Sequence, residues 1–129
     1  MARKASAQPT DVELAILRVL WERGPSTVRE VHLALSDIRD TGYSTTLKMM
    51  QVMFEKGVLT RDEACRPQLY SPAIPQEQTQ ANMVDDLVQK VFGGSARKLV
   101  LRAVQSERVT AEELSEIRKL LKKLEGGRP

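Results

Sequence analysis

Histidine and cysteine each occur once in these 129 residues, at His32 and Cys65, and aromatic residues make up only 4% of the chain. A lone cysteine cannot close an intrachain disulfide, so packing rather than cross-linking has to hold the fold. One histidine and one cysteine also fall short of the ligand set that a zinc ion needs. Neither sits in a context for nucleophilic catalysis: no Ser/His/Asp pattern and no glycine-rich phosphate loop is present. The expectation is therefore no enzyme, no metal, no cofactor and no small-molecule substrate. Apolar runs long enough to cross a bilayer are missing too. The start, M-A-R-K-A-S-A-Q-P, lacks the apolar core of a signal peptide, and a cytoplasmic protein is expected.

Excess charge is scarce as well. The formal net charge is +3, and residues 1–72 hold ten Lys/Arg against nine Asp/Glu. Such a balance permits a nucleic-acid partner without arguing for one. What the chain does have is ordinary globular stock, 41% hydrophobic and 29% charged residues. Its length accommodates one full domain or two small pieces.

The order of local signals is more telling. Residues 1–9 are small, polar and basic and read as a flexible arm, from which Arg3 and Lys4 could reach a nucleic-acid backbone. Thr10 and Glu13 form a capping-box pattern ahead of Leu14, Leu17, Leu20 and Trp21 at helical spacing. Gly24-Pro25 ends this helix, by a left-handed cap and the loss of a donor. Thr27 and Glu30 repeat the box for a short helix ending near Ser36. After the polar turn D-I-R-D-T-G, Ser44 is the expected cap of a third helix reaching Lys56, with Gly57 as its stop. Val58 to Asp62 and Gln68 to Pro72 then read as a hairpin around E-A-C-R-P, too small to stand without the helices beside it.

Helix, turn, helix, hairpin is the order of a winged helix-turn-helix, a module whose commonest work lies in the DNA major groove. The predicted class is therefore mainly α, a winged helix followed by three more helices. Residues 1–74 would be the winged-helix domain and 75–129 a helical dimerisation domain. In the latter, Gln76 to Phe92 reads as one helix, Ser95 caps a second through about Val104, and Thr110 with Glu113 opens a third. So small a unit buries little surface alone. A homodimer, with each set of helices completing the other's core, is the economical solution. Leu87, Val91, Leu99, Leu114, Ile117, Leu121 and Leu124 are its candidate interface residues, the last four at coiled-coil-like spacing. Folding these helices back on the winged helix as a monomer is the alternative.

The third helix divides into two faces. Thr46, Met49, Met50 and Met53 share the side expected to pack on the first two helices. Ser44, Thr45, Lys48 and Gln51 lie opposite, short hydroxyls first and then a cation and an amide, suited to base edges. A plain solvated face would look similar. Arg29 near the start of the second helix, with Arg61 and Arg66 on the wing, are candidate phosphate contacts. His32 is expected at the surface or its boundary, and Cys65 as an exposed thiol at the wing tip.

Taken together, E-L-A-I-L-R-V-L-W at 13–21, T-V-R-E-V-H at 27–32, Y-S-T-T-L at 43–47, E-K-G-V-L at 55–59, R-P-Q-L-Y-S-P at 66–72 and F-G-G-S at 92–95 make the chain resemble the penicillinase and methicillin-resistance repressor family (BlaI/MecI type). The resemblance implies a dimeric winged-helix repressor on an inverted-repeat operator in double-stranded DNA. By position, it implies that Ser44, Thr45 and Lys48 face bases and that Arg66 lies beside phosphates. It also brings a candidate partner, a membrane sensor protease. Three positions depart from the family pattern. Val52 stands where many relatives have Arg, and Arg102-Ala103 stands where antibiotic-sensing members carry the Asn-Phe bond that is cut. The ending L-E-G-G-R-P also differs from the cysteine-rich tail of copper-responsive relatives, so copper release by that route is not expected. A DNA-binding repressor is thus the reading, with a winged helix that binds proteins rather than specific DNA as the alternative.

Overall fold

The computed structural model describes residues 8–38 and 40–127; the basic positions Arg3 and Lys4 of the expected arm lie outside the described residues. Eight elements follow in order: α1 (Asp11–Arg23), α2 (Val28–Ser36), α3 (Tyr43–Glu55), β1 (Leu59–Asp62), β2 (Leu69–Pro72), α4 (Gln76–Val91), α5 (Ala96–Gln105) and α6 (Ala111–Gly126). Three helices with a two-stranded antiparallel wing, then three more helices, is the architecture read from the sequence.

Local chemistry accounts for most boundaries. At α1, α2 and α6 the capping threonine accepts from the backbone N–H of the glutamate three residues on, whose carboxylate accepts in return from the threonine N–H. Two ends differ from expectation. Ser44 does not cap α3: the helix starts at Tyr43 behind Gly42, whose extended backbone (φ −72°, ψ 157°) serves as N-cap without a side-chain bond. The helix therefore keeps Ser44 within its first turn. Gly24 does end α1, but at φ 87°, ψ −168°, a positive-φ extended conformation rather than the left-handed helical one. α3 ends as its glycine suggests. Gly57 lies at φ 82°, its N–H donates to the Phe54 carbonyl (3.1 Å), and Val58 N–H donates to the Met53 carbonyl (2.9 Å), a Schellman closure.

The backbone divides into two compact units, Met1–Met83 and Val84–Pro129. In the first, Ile16, Leu17 and Leu20 of α1, Val31 and Leu35 of α2, Met50 and Met53 of α3, and Leu59 and Tyr70 of the wing make one core. The α1 face is broader than the spacing of its leucines suggests, because α1 packs on α2, α3 and β2 together and so buries Ile16 and Val19 as well. In the wing, Leu59 pairs with Pro72 and Asp62 with Leu69. Ser26 adds a one-residue third strand that local periodicity does not reveal. It exchanges both backbone hydrogen bonds with Tyr70 (3.1 and 2.8 Å) and donates its hydroxyl to the Gly24 carbonyl (2.8 Å). These bonds tie the wing to the α1–α2 junction.

The second unit holds the end of α4 with α5 and α6. Gly93 and Gly94, both at positive φ, close α4 through a bond from Gly94 N–H to the Val88 carbonyl (2.9 Å). The Ser95 hydroxyl accepts from Lys98 N–H to open α5. Among the described residues of this unit, Val88 alone is buried, and α5 and α6 bury none.

Candidate nucleic-acid interface

The α3 helix keeps its two faces apart. Thr46, Met50 and Met53 are at most 1% exposed and Met49 is half-buried, so the methionine stripe is core and not a partner groove. Ser44, Thr45, Lys48 and Gln51 are all exposed on the other side. The first turn of α3 carries no acidic residue, so no side chain within it offsets the positive end of the helix dipole. Short hydroxyls at such an end can approach a groove floor, where an amide and an ammonium one turn on reach base edges.

Both ends of this helix are anchored to the helices before it. At its C-terminal end Lys56 Nζ lies 2.7 Å from Glu13 Oε2 in α1, with the Glu13 side chain 6% exposed and Lys56 about half exposed. Burial by itself would push the Glu13 carboxyl upward and is the largest single influence. The hydrogen bond from Lys56 and those from Thr10 outweigh it, so the pKa is held below the usual carboxylate value. The capping-box pattern accounts for Glu13 as a cap only; that it also clamps α3 is a tertiary fact. A carboxylate among the apolar positions of α1 is the signal that could have suggested it.

At the N-terminal end, His32 of α2 meets α3 twice. Its ring stands edge-on to Tyr43, centroids 5.6 Å apart at 84°, and Nδ1 lies 3.4 Å from the buried Thr46 hydroxyl. His32 is half-buried, as a boundary residue should be. Tyr43 is 46% exposed beside Ser44, a position that the expected cap had placed outside the helix.

The three arginines proposed for phosphates separate. Arg29 and Arg66 are exposed and form no ion pair with another described residue, and the same is true of Lys48. Arg61 is engaged. Its guanidinium stacks 3.9 Å from the Phe54 ring centroid, pairs with Glu63 at 2.7 Å, and reaches the Tyr70 hydroxyl at 3.4 Å. These last two bonds, to Tyr70 first and Glu63 next, hold its pKa above the usual guanidinium value. Arg61 thus joins β1 to α3, a contact that neither element's pattern contains. Val52 is half-buried.

Cys65 is half-buried rather than exposed, because its thiol turns onto Asp62 Oδ2 at 3.5 Å. That bond, with burial and the nearby charge, raises the thiol pKa and works against thiolate chemistry. Among the described residues no cluster of His, Cys, Asp and Glu is placed to hold a metal ion, and no helix is long and apolar enough to cross a membrane.

Of the interface candidates in the second unit, Leu87, Val91, Leu114, Leu121 and Leu124 are exposed, while Leu99 and Ile117 are half-buried. Val84, Val100, Leu101 and Leu120 are exposed with them. Val84, with Leu87 and Val91, and Leu120, with Ile117 and Leu124, widen the expected stripe at helical spacing, whereas Val100 and Leu101 follow Leu99 directly and lie off its face. Arg102 and Ala103 are exposed inside α5.

The profile of the family described as Penicillinase repressor matches residues 9–123. The transcriptional regulator BlaI of Mycobacterium tuberculosis is 36% identical over 119 residues, covering 91% of this chain and 85% of its own. A penicillinase repressor of Bacillus licheniformis is 23% identical over 118 residues, covering 92% of each chain. Among solved structures, the transcriptional regulator Tm0710 from Thermotoga maritima shares the fold at 21% identity. Its TM-score is 0.52, over 92% of this chain and 75% of that one.

Proposed function

This chain belongs to the penicillinase repressor family, and from that premise we propose how its surface does a repressor's work. It is a DNA-binding transcriptional repressor. Its winged helix, residues 1–74, would bind DNA and residues 75–129 would hold two copies together on an inverted repeat. The observation that carries the DNA reading is the division of α3: one side is sealed into the core, and the other presents Ser44, Thr45, Lys48 and Gln51 with no acidic neighbour in the first turn. In the groove these four face bases, while Arg29 and Arg66 meet phosphates on either side. Arg61 has a different part, holding the wing against Phe54 so that Arg66 is carried at a set distance from α3.

The dimer is supported by the second unit, which leaves α5 and α6 without a buried residue while exposing Leu114, Leu120, Leu121 and Leu124. A stripe of that length is poorly compatible with water unless a second copy covers it. Repression follows by occupancy, two α3 helices sitting one DNA turn apart and excluding polymerase. A membrane sensor protease, the further partner that the resemblance implies, would have to act at a bond other than an Asn-Phe pair in α5, where Arg102-Ala103 stands.

Binding to the chain's own promoter fragment tests the reading. Four phosphate contacts per dimer, from Arg29 and Arg66 in each copy, imply a slope of roughly −3.6 for log affinity against log salt. Absence of a specific complex at moderate salt would favour the protein-interaction alternative.

A further inference from the structure

The structure begins α3 two residues earlier than its serine suggests, and this places an aromatic side chain at the end of the helix that the function above sends into the groove. We propose that Tyr43 is a sequence-specificity residue, its ring packing on a thymine methyl in the major groove, and that His32 is the positioning residue that aims it. The inference rests on the reading of α3 as the groove helix.

Three observations carry it. Tyr43 is nearly half exposed at the N-terminal turn, the part of a recognition helix that lies nearest the base edges. An exposed tyrosine on a helix end would ordinarily rotate freely, but this ring meets the His32 ring edge-on at 5.6 Å and 84°. His32 is itself held, with Nδ1 3.4 Å from the Thr46 hydroxyl, which in turn lies 3.4 Å from the Gly42 carbonyl at the helix cap. With the threonine hydroxyl donating to Gly42, its oxygen is free to accept from Nδ1–H. The chain Gly42, Thr46, His32, Tyr43 therefore links the start of α3 to α2 and limits the directions the phenol ring can take. A contact that only followed the phosphate backbone would gain nothing from a fixed ring, whereas a base contact depends on direction. The thymine 5-methyl is the apolar feature a ring can recognise in that groove.

Enrichment of a random-sequence DNA pool on the purified full-length protein tests the proposal. Wild type is expected to enrich an inverted-repeat motif. Tyr43→Ala should keep that motif but lose the preference for thymine at one symmetric pair of positions, with specific affinity down about tenfold. Binding to non-specific DNA should not change, and the protein should stay folded with only the small fall in melting temperature that loss of the ring pair implies. Tyr43→Phe should retain the preference. His32→Ala should blur the same positions, and His32→Phe, which keeps a ring beside Tyr43 but loses the bond to Thr46, should restore them only in part. An unaltered motif in Tyr43→Ala would overturn the proposal while leaving the groove reading intact. An equal loss on specific and non-specific DNA would make Tyr43 a backbone contact and overturn it too. Tyr43→Phe as weak as Tyr43→Ala would overturn the ring contact, and an intact motif in His32→Ala the positioning role. A wild-type protein that enriches no motif would overturn this proposal together with the groove reading on which it stands.

Discussion

Replacing Lys56 by methionine removes the cation that compensates Glu13 while keeping most of the aliphatic stem, and so isolates the clamp between α1 and α3. The Glu13 carboxylate is nearly buried and stays within reach of the Thr10 N–H (3.1 Å), but it loses the 2.7 Å bond from Lys56. Stranding a fully buried charge costs about 3–5 kcal/mol, whereas losing an exposed pair costs at most about 1 kcal/mol. Lys56 is half exposed, so water can replace part of what it supplied, and about 2 kcal/mol is the expected loss at neutral pH. With a urea dependence near 2 kcal/mol per molar, the unfolding midpoint should fall by about 1 M at fixed protein concentration. The pH dependence is the sharper signature. Glu13 has its folded pKa below the unfolded one, so its contribution is complete above the unfolded value and is lost as pH falls through the folded value. The gap between wild type and Lys56→Met should therefore be full at pH 7 and close only once the pH has fallen below the depressed folded pKa, where the carboxyl is protonated in both. Urea titrations monitored by circular dichroism across that range measure it. A gap that stays constant with pH would assign the loss to stem packing or to the α3 dipole, and would refute the clamp.

Three further outcomes are expected. Leu121→Glu, placing a charge in the exposed α6 stripe, should halve the mass measured by light scattering; an unchanged mass would locate the interface elsewhere. Thr45→Ala and Lys48→Ala should each weaken binding to the promoter fragment by about 1–3 kcal/mol with no change in melting temperature, since both side chains are exposed. Wild-type affinity in both would contradict the face assignment. Gly57→Ala should cost about 1 kcal/mol in urea unfolding. A methyl there meets no atom within 4 Å, so the φ of 82° alone sets the cost; a neutral result would mean that the turn relaxes.

Much of the fold was legible because it is locally encoded. Thr10 with Glu13, Thr27 with Glu30 and Thr110 with Glu113 each satisfy helix-end donors within four residues, so their positions can be read without knowing what the helix packs on. Gly57 marks the end of α3 for the same reason, since few other residues accept its φ. The N-terminus of α3 was misread because two acceptable caps, Gly42 and Ser44, stand two residues apart, and local chemistry does not choose between them. Packing against α2 does, through His32 on Tyr43 and Thr46.

The sequence by itself determined the order of elements, the apolar side of each helix in the first unit and the polar side of α3, because periodicity and capping act over one or two turns. The tertiary structure alone decided which charges are free. Arg29, Arg61 and Arg66 look equivalent in the chain, yet Arg61 is spent on Phe54 and Glu63, and Lys56 on Glu13, across separations that no local pattern spans. Charge pairing depends on which elements meet in space, and that is settled only when the core closes.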